Sequence, residues 1–418
     1  MNTMRDDAHK IIDEAIRAVL PEKAVERALS SMHVKNGAVI VAIGKAAWNM
    51  AKAAKDLLGA KISDGIVLTK YHHSKGDIEG LKIFEAGHPL PDQNSVIGTS
   101  KILELVSQLT SDDEVVFLVS GGGSALFEKP LHGITLNEIV SVTDQLLSCA
   151  ASIVEINTVR KHLSAVKGGR FASHCNGAKI HAVVLSDVIG DPLNAIASGP
   201  AYPDQSTSEE ALAIIKKYDL QITENIRKAL QEETPKAVEN CDTVITGSVS
   251  ELCEAAAATA SALNYHPHIL SSFVENEAKE IGHFFGSIAK ELKKVNKSQY
   301  TFQTPCAIIL GGETVVHLKG KGKGGRNQEL VLAAAIEIEN IDDVIIFSLG
   351  SDGTDGPTDA AGGIVDGQSI SRMKSACKNP ALMLDNNDAY HALEASNDLV
   401  ITGPTGTNVN DLIVLLCR

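Results

Sequence analysis

Six loops of this chain combine residues that could handle an anionic or phosphorylated molecule. Gly44-Lys45 follows the apolar run Ala38–Ile43. A glycine allows a tight turn there, and a helix N-terminus after it leaves free N–H groups for an anion, beside the mobile charge of Lys45. Gly121-Gly122-Gly123-Ser124 follows a second apolar run. Three consecutive glycines carry a large entropic cost, so they suit a turn where a ligand approaches the backbone, with N–H groups able to surround phosphoryl oxygens. Arg160, Lys161, Lys167 and Arg170 concentrate positive charge within eleven positions. Arg160, Lys167 and Arg170 are spaced to share one side of a helix, as binding groups or as a solvated face. Asp187 and Asp191 bracket the turn SDVIGDP, where a carboxylate can accept a hydroxyl proton or help to hold a divalent ion.

The fifth loop, Lys319 to Arg326, interleaves Lys321, Gly322, Lys323, Gly324 and Gly325 before Arg326, Asn327 and an apolar helical run. Flexible backbone, cations and a helix start all favour a nucleotide's phosphates, and the planar fork of Arg326 can grip two oxygens. The sixth comprises Glu313 and the acidic turn from Asp352 to Asp359; with Asp191, Glu313 and Asp352 are expected to hold Mg²⁺ or its waters. They could equally bind substrate hydroxyls or cap turns. None of these loops is a Walker A motif, a GxSxG elbow, a GxGxxG dinucleotide fingerprint, an EF-hand or an HExxH zinc motif. Ser124 therefore reads as a binding hydroxyl, and His72, His73 and His88 read as structural.

The elements that must position these loops alternate between strand and helix. Expected strands are Ala38–Ile43, Gly65–Thr69, Leu81–Glu85, Glu114–Val119 and Ile180–Leu185, then Thr243–Thr246, Ala307–Leu310, Val344–Leu349 and Leu412–Leu416. Thr314–Leu318 is a candidate second arm of a hairpin. Unbroken apolar strands followed by glycine-rich or acidic loops and then helices are the pattern of an open parallel α/β sheet. A first helix is expected from about Asp6 to Leu20, and a second short one from Pro21. The polar helical stretch from Glu209 to Thr234 marks the boundary between an N-terminal domain over 1–236 and a C-terminal domain over 237–418. The last strand could belong to either sheet.

Bulk properties narrow the classes. A chain of 418 residues calls for more than one core. A net charge of −14 and only 4% aromatic residues argue against nucleic acid as partner. The N-terminus lacks the apolar core of a signal peptide, and no apolar window is long enough to span a membrane. Seven scattered cysteines without a CxxC pair point to reduced thiols in the cytoplasm.

In their order, the segments VAIGKAAWNMA, EAGHPLPDQNS, LVSGGGSAL, NTVRKHLSAVKGGRFA, VLSDVIGDPLNAIASGP, GGETVVHLKGKGKGGRNQELVLAAA, SLGSDGTDGPTDAAGG and GPTGTNVNDL resemble the glycerate 2-kinase family. They span Val41 to Leu412. The resemblance implies an N-terminal glycerate kinase domain, here expected to be a Rossmann-like three-layer open sheet, and a smaller C-terminal α/β domain of the MOFRL type. It further implies ATP-dependent phosphorylation of D-glycerate, to 2-phosphoglycerate, with ATP and Mg²⁺, in a cleft between the domains. Lys45 and Arg326 match the family's important lysine and arginine. On this reading Lys45, Arg326 and Asp187 are catalytic. Gly121, Gly122, Gly123, Ser124, Arg160 and Lys167 bind substrate, while Lys321, Gly322, Lys323, Gly324, Gly325 and Asn327 bind the nucleotide. Neither nucleic acid nor membrane is expected as a partner, and the chain is expected to be a monomer or homodimer. Two rivals remain: a hydroxypyruvate reductase using NAD(P)H, and a non-catalytic nucleotide-sensing protein.

Overall fold

A computed structural model describes residues 3–294 and 302–418. The chain divides into two compact units, a central one over Pro21–Thr246 and a terminal one formed by Met1–Leu20 with Gly247–Arg418. Each has its own six-stranded sheet.

The central sheet contains β1 (Ala38–Ile43), β2 (Ile62–Lys70), β3 (Lys82–Ala86), β4 (Glu114–Val119), β5 (Lys179–Leu185) and β6 (Cys241–Thr246), in the order β3-β2-β1-β4-β5-β6. All five pairings are parallel. β1 and β4 are buried along their whole length, as expected of strands covered on both faces. The chain steps outward one way from β1 and the other way from β4, so the topological switch point of the sheet lies between them. Ile43 is level with both Leu68 and Val119, and Val119 with Val184. The loops after β1, β4 and β5 therefore leave the sheet at one edge, where open α/β sheets bind ligands. The core on one face centres on Phe117, Phe127 and Phe171, with Phe117 and Phe171 rings 4.4 Å apart. A satellite core joins the helices Leu136–Ser148, Ile153–Leu163, Ser208–Lys217 and Glu224–Ala229.

The terminal sheet contains β7 (His266–Val274), β8 (Cys306–Gly312), β9 (Val344–Gly350), β10 (Gly362–Asp366), β11 (Leu399–Val400) and β12 (Asp411–Cys417), in the order β11-β10-β9-β12-β8-β7. Only the β7–β8 pair is parallel. β12 is buried throughout and lies between β8 and β9. Its antiparallel register sets Asp411 opposite both Gly312 and Gly350, so the start of β12 meets the ends of β8 and β9.

Several sequence expectations change here. Thr243–Thr246 was expected to begin the second sheet but is the edge strand β6 of the first, paired with β5. The N-terminal helix runs over Met4–Ala18, opened by a Thr3–Asp6 capping box, and belongs to the terminal unit. Its Asp7 accepts hydrogen bonds from the Tyr265 hydroxyl at 3.0 Å and from Arg418. The two units are thus not the segments 1–236 and 237–418. The last strand belongs to the terminal sheet. Thr314–Leu318 forms no hairpin arm: Val315 makes one isolated bridge, to Glu277. The polar stretch after Glu209 is two short helices packed on the satellite core, and the compact unit that holds it runs on to Thr246.

Candidate active site

The switch point of the central sheet is tied together by backbone hydrogen bonds. The Lys45 N–H donates to the Gly121 carbonyl at 2.8 Å, and the Ala46 N–H to Ser120 Oγ at 3.1 Å. Gly44 has φ +111°, and a Cβ there would lie 2.3 Å from Ser120 Oγ, so only glycine permits this approach of the two loops. The expected helix starts at Ala47, leaving Lys45 in the turn before it.

The glycine run brings three side chains together. A Cβ on Gly121 would lie 2.2 Å from a carboxylate oxygen of Asp187. Gly122, at φ +84°, has His88 Nε2 and Lys45 Cγ each 3.2 Å from where its Cβ would be. Asp187, His88 and Lys45 therefore crowd around a backbone bare of side chains. Burial, then the charge of Lys45, holds the His88 imidazole below its ordinary pKa, favouring the neutral ring. The sequence marks His88 only by its place before Pro89 and after a strand, a pattern that a structural histidine shares. Gly123 packs on Ala197 instead, in a four-residue helix with Ser124. Ser124 Oγ lies 3.2 Å from Ser198 Oγ.

These loops form one wall of a cavity of about 1110 Å³ within the central unit. Its lining includes His88, Gly121, Gly122, Ser124, Arg160 and Asp187, and also Ile153, Val154 and Lys217. Arg160 donates to the Ser124 carbonyl at 2.9 Å.

Lys167, expected to bind substrate, is sealed inside the central unit. Its ammonium is fully enclosed, donates to the carbonyls of Ser124 (2.8 Å) and Phe127 (2.9 Å), and pairs with equally buried Glu128 at 3.0 Å. Burial pulls its pKa down to about 8 despite the Glu128 charge. It holds the glycine turn from beneath and has no surface to offer a substrate. Nor do Arg160, Lys167 and Arg170 share a helix. The helix ends at Leu163, and Arg170 opens a separate short helix, donating to the carbonyls of Lys161 and Ser164.

In the terminal unit, Arg326 opens the Arg326–Glu337 helix and is held by a bidentate pair to Asp411 (2.6 and 2.9 Å) and a bond to Glu313 at 2.7 Å. Burial opposes the charge, but the two carboxylates outweigh it and raise the guanidinium pKa. Burial likewise pushes Asp411 up to about 6, with Arg326 pulling against it. Asp411 was missed by sequence reasoning; it came last in a loop rich in Gly, Thr and Asn. Asp355 accepts the N–H groups of Asn327 (3.2 Å) and Gln328 (2.9 Å).

The helix start expected to bind phosphate is therefore capped by a carboxylate of the chain itself. Asn327 is buried, bonded to Asp355 and to Ser348. The glycine–lysine tract is also engaged. The N–H groups of Lys319, Gly320, Lys321, Gly322 and Lys323 all donate to Asn386, Asn387 or Asp388. Lys323 lies over the Tyr390 ring, its ammonium 3.9 Å from the centroid. Of the expected nucleotide-binding residues, Gly322, Gly324 and Gly325 line a second cavity of about 650 Å³ with Arg326, Asp352 and Asp355, but the tract's N–H groups are largely spent.

Among the described residues, no group of three or more His, Cys, Asp or Glu side chains is arranged to hold a metal. Asp191 lies in the central unit, Glu313 and Asp352 in the terminal one. Asp352 accepts from Thr354 at 2.9 Å, and Glu313 holds Arg326. Asp191 Oδ1 is buried and accepts no hydrogen bond among the described residues, so this carboxylate fits a single-point contact to a hydrated cation.

Residues 7–231 match a domain of unknown function, DUF4147, and residues 306–411 match the MOFRL family. The chain is 52% identical to a D-glycerate 2-kinase of Thermotoga maritima over 97% of both sequences. It belongs to the glycerate 2-kinase family. A crystal structure of a glycerate kinase from Thermotoga maritima superimposes with a TM-score of 0.96 at 50% identity, covering 99% of each chain. Another relative, from Agrobacterium vitis, carries the provisional name hydroxypyruvate reductase and is 39% identical over 99% of this chain and 94% of its own. The two glycine loops that meet at the switch point bring together a backbone bare of side chains, a cation and a carboxylate.

Proposed function

We infer that this protein is a glycerate kinase that transfers the terminal phosphoryl group of ATP to D-glycerate, releasing ADP and phosphoglycerate. The geometric observation that carries the reading is the convergence of Lys45, His88 and Asp187 on the Gly121–Gly122 backbone. Phosphoryl transfer is mainly positioning and charge stabilisation, and this arrangement supplies both. The Lys45 ammonium stabilises charge on the transferring group. Asp187, on the other side of Gly121, accepts the proton of the substrate hydroxyl. Gly121, Gly122, Ser124 and Arg160 contact the glycerate. Arg326 stabilises phosphoryl charge: three of its five N–H groups are engaged among the described residues, which leaves two for oxygens.

The 2-hydroxyl is the proposed acceptor. Mg²⁺ is the proposed companion of the nucleotide; Asp191 would hold it or one of its waters, and it would neutralise phosphate charge. The parallel order β3-β2-β1-β4-β5-β6 supports reading the central unit as a Rossmann-like three-layer sheet. Among the described residues no helix is long and apolar enough to cross a membrane. A cytoplasmic enzyme, monomer or homodimer, without nucleic-acid partners is the corresponding proposal. The test is ADP release that depends on D-glycerate, followed by identification of the phosphoglycerate isomer. NADH or NADPH oxidation driven by hydroxypyruvate, without ATP consumption, would reject it.

A further inference from the structure

We propose that the purine base of the nucleotide binds in the central unit, against Ile153 and Val154 in the large cavity, and not over the glycine–lysine tract of the terminal unit. The inference rests on the kinase reading above and deepens it.

Ile153 and Val154 begin the Ile153–Leu163 helix and are 67% and 70% exposed, two adjacent apolar side chains turned outward on a cavity wall. Single exposed apolar residues are ordinary, but an exposed pair inside a large concavity is the usual lining of a ligand's apolar part. The wall is rigid. Ser152 and Glu155 form a capping box, and Glu155 is bonded to Lys217 at 2.6 Å, at the end of the neighbouring Ser208–Lys217 helix, and to Tyr218 at 3.0 Å just beyond it. With Lys217 committed to Glu155, this part of the cavity suits an uncharged group better than a phosphate.

The other end of the same helix has the opposite character. Arg160 bonds the Ser124 carbonyl, next to the Gly121–Gly122 backbone, Lys45 and Asp187. At 1.5 Å per residue, Val154 and Arg160 are about 9 Å apart along the helix axis. One helix thus runs from an apolar shelf suited to a base towards the cationic, glycine-lined turn where the glycerate and the transferring phosphoryl group meet. The competing location in the terminal unit lacks these features. The N–H groups of Lys319 to Lys323 are spent on Asn386–Asp388, Asp355 caps the following helix, and the cavity there also carries Asp352 and Glu329.

The experiment is titration calorimetry on the full chain with ADP and, separately, with inorganic tripolyphosphate, which has no base. Ile153→Ser/Val154→Ser removes apolar surface without adding charge, and both sites are exposed enough to leave the fold intact. The expected result is ADP binding weakened about tenfold or more, with tripolyphosphate binding unchanged. Lys321→Ala/Lys323→Ala is expected to leave ADP affinity within about twofold of the parent. Unchanged ADP affinity in the serine variant, or its loss in the alanine variant, would overturn the proposal. Calorimetry reads binding without turnover, so the kinase reading fails separately, by the absence of glycerate-dependent ADP release.

Discussion

Lys45 lies in the turn before a helix and Arg326 in the first turn of one, yet their surroundings differ, and so should their variants. Lys45 is partly exposed beside Gly122, and removing its side chain strands no buried partner among the described residues. Lys45→Ala should lower kcat by about 10², corresponding to about 3 kcal/mol of lost charge stabilisation, with an unchanged melting temperature. Arg326→Ala should also lower kcat, but it leaves the buried Asp411 carboxylate without its bidentate partner. A loss of about 3 kcal/mol in urea unfolding is expected, recovered in part by adding Asp411→Asn, which does not restore turnover. Equal stability of the two single variants would show that the Arg326–Asp411 pair is not what holds the start of β12.

At the scale of elements, two buried ionisable groups position the loops. Lys167 ties the glycine turn to Glu128 within the aromatic core, so Lys167→Met should cost about 3–5 kcal/mol by leaving Glu128 buried and unpaired. Lys167→Met/Glu128→Leu should recover most of that in denaturant unfolding, because both charges are then gone. In the terminal unit, Asp355 caps the Arg326–Glu337 helix. Burial pushes its carboxyl up to about 7, against the N–H groups of Gln328 and Asn327 that pull it down. A raised carboxyl pKa means that the folded state holds the proton over a range where the unfolded chain has released it. Stability should therefore fall as pH rises from about 4 to about 7 and level off above, with Asp411 acting in the same sense. Urea midpoints across that range should decline less steeply in Asp355→Asn.

For the whole molecule, the consequence of the fold is that the two ends of the chain share a unit. The Met4–Ala18 helix joins the terminal unit through Asp7, bonded to Tyr265 and Arg418, and the Val19 carbonyl accepts from Thr407. Deleting residues 1–20 should therefore destabilise the C-terminal sheet, although the central unit is nearer in sequence. Hydrogen exchange should show lost protection in β8, β9 and β12, with β1 and β4 unaffected. Lost protection in β1 and β4 instead would contradict the division of the chain.

Local pattern determined much of this protein. Continuous apolar runs marked β1, β4, β5, β8, β9 and β12, because strands buried on both faces must be apolar throughout. Gly44 and the Gly121 run marked the loops at the switch point, because close backbone approach excludes a Cβ. The family was legible from ordered motifs over nearly the whole chain. Long-range pairing decided the rest. Cys241–Thr246 has the same local pattern whichever sheet it joins, and only its register with β5 assigns it. Charge alone could not separate Lys167, sealed beneath the turn, from Arg160 at the cavity wall. Nor could it reveal that Asn386–Asp388 and Asp355 consume the N–H groups of the glycine–lysine tract and the helix behind it. A hydrogen bond's partner is set by where distant segments meet, and only the tertiary structure brings those segments together.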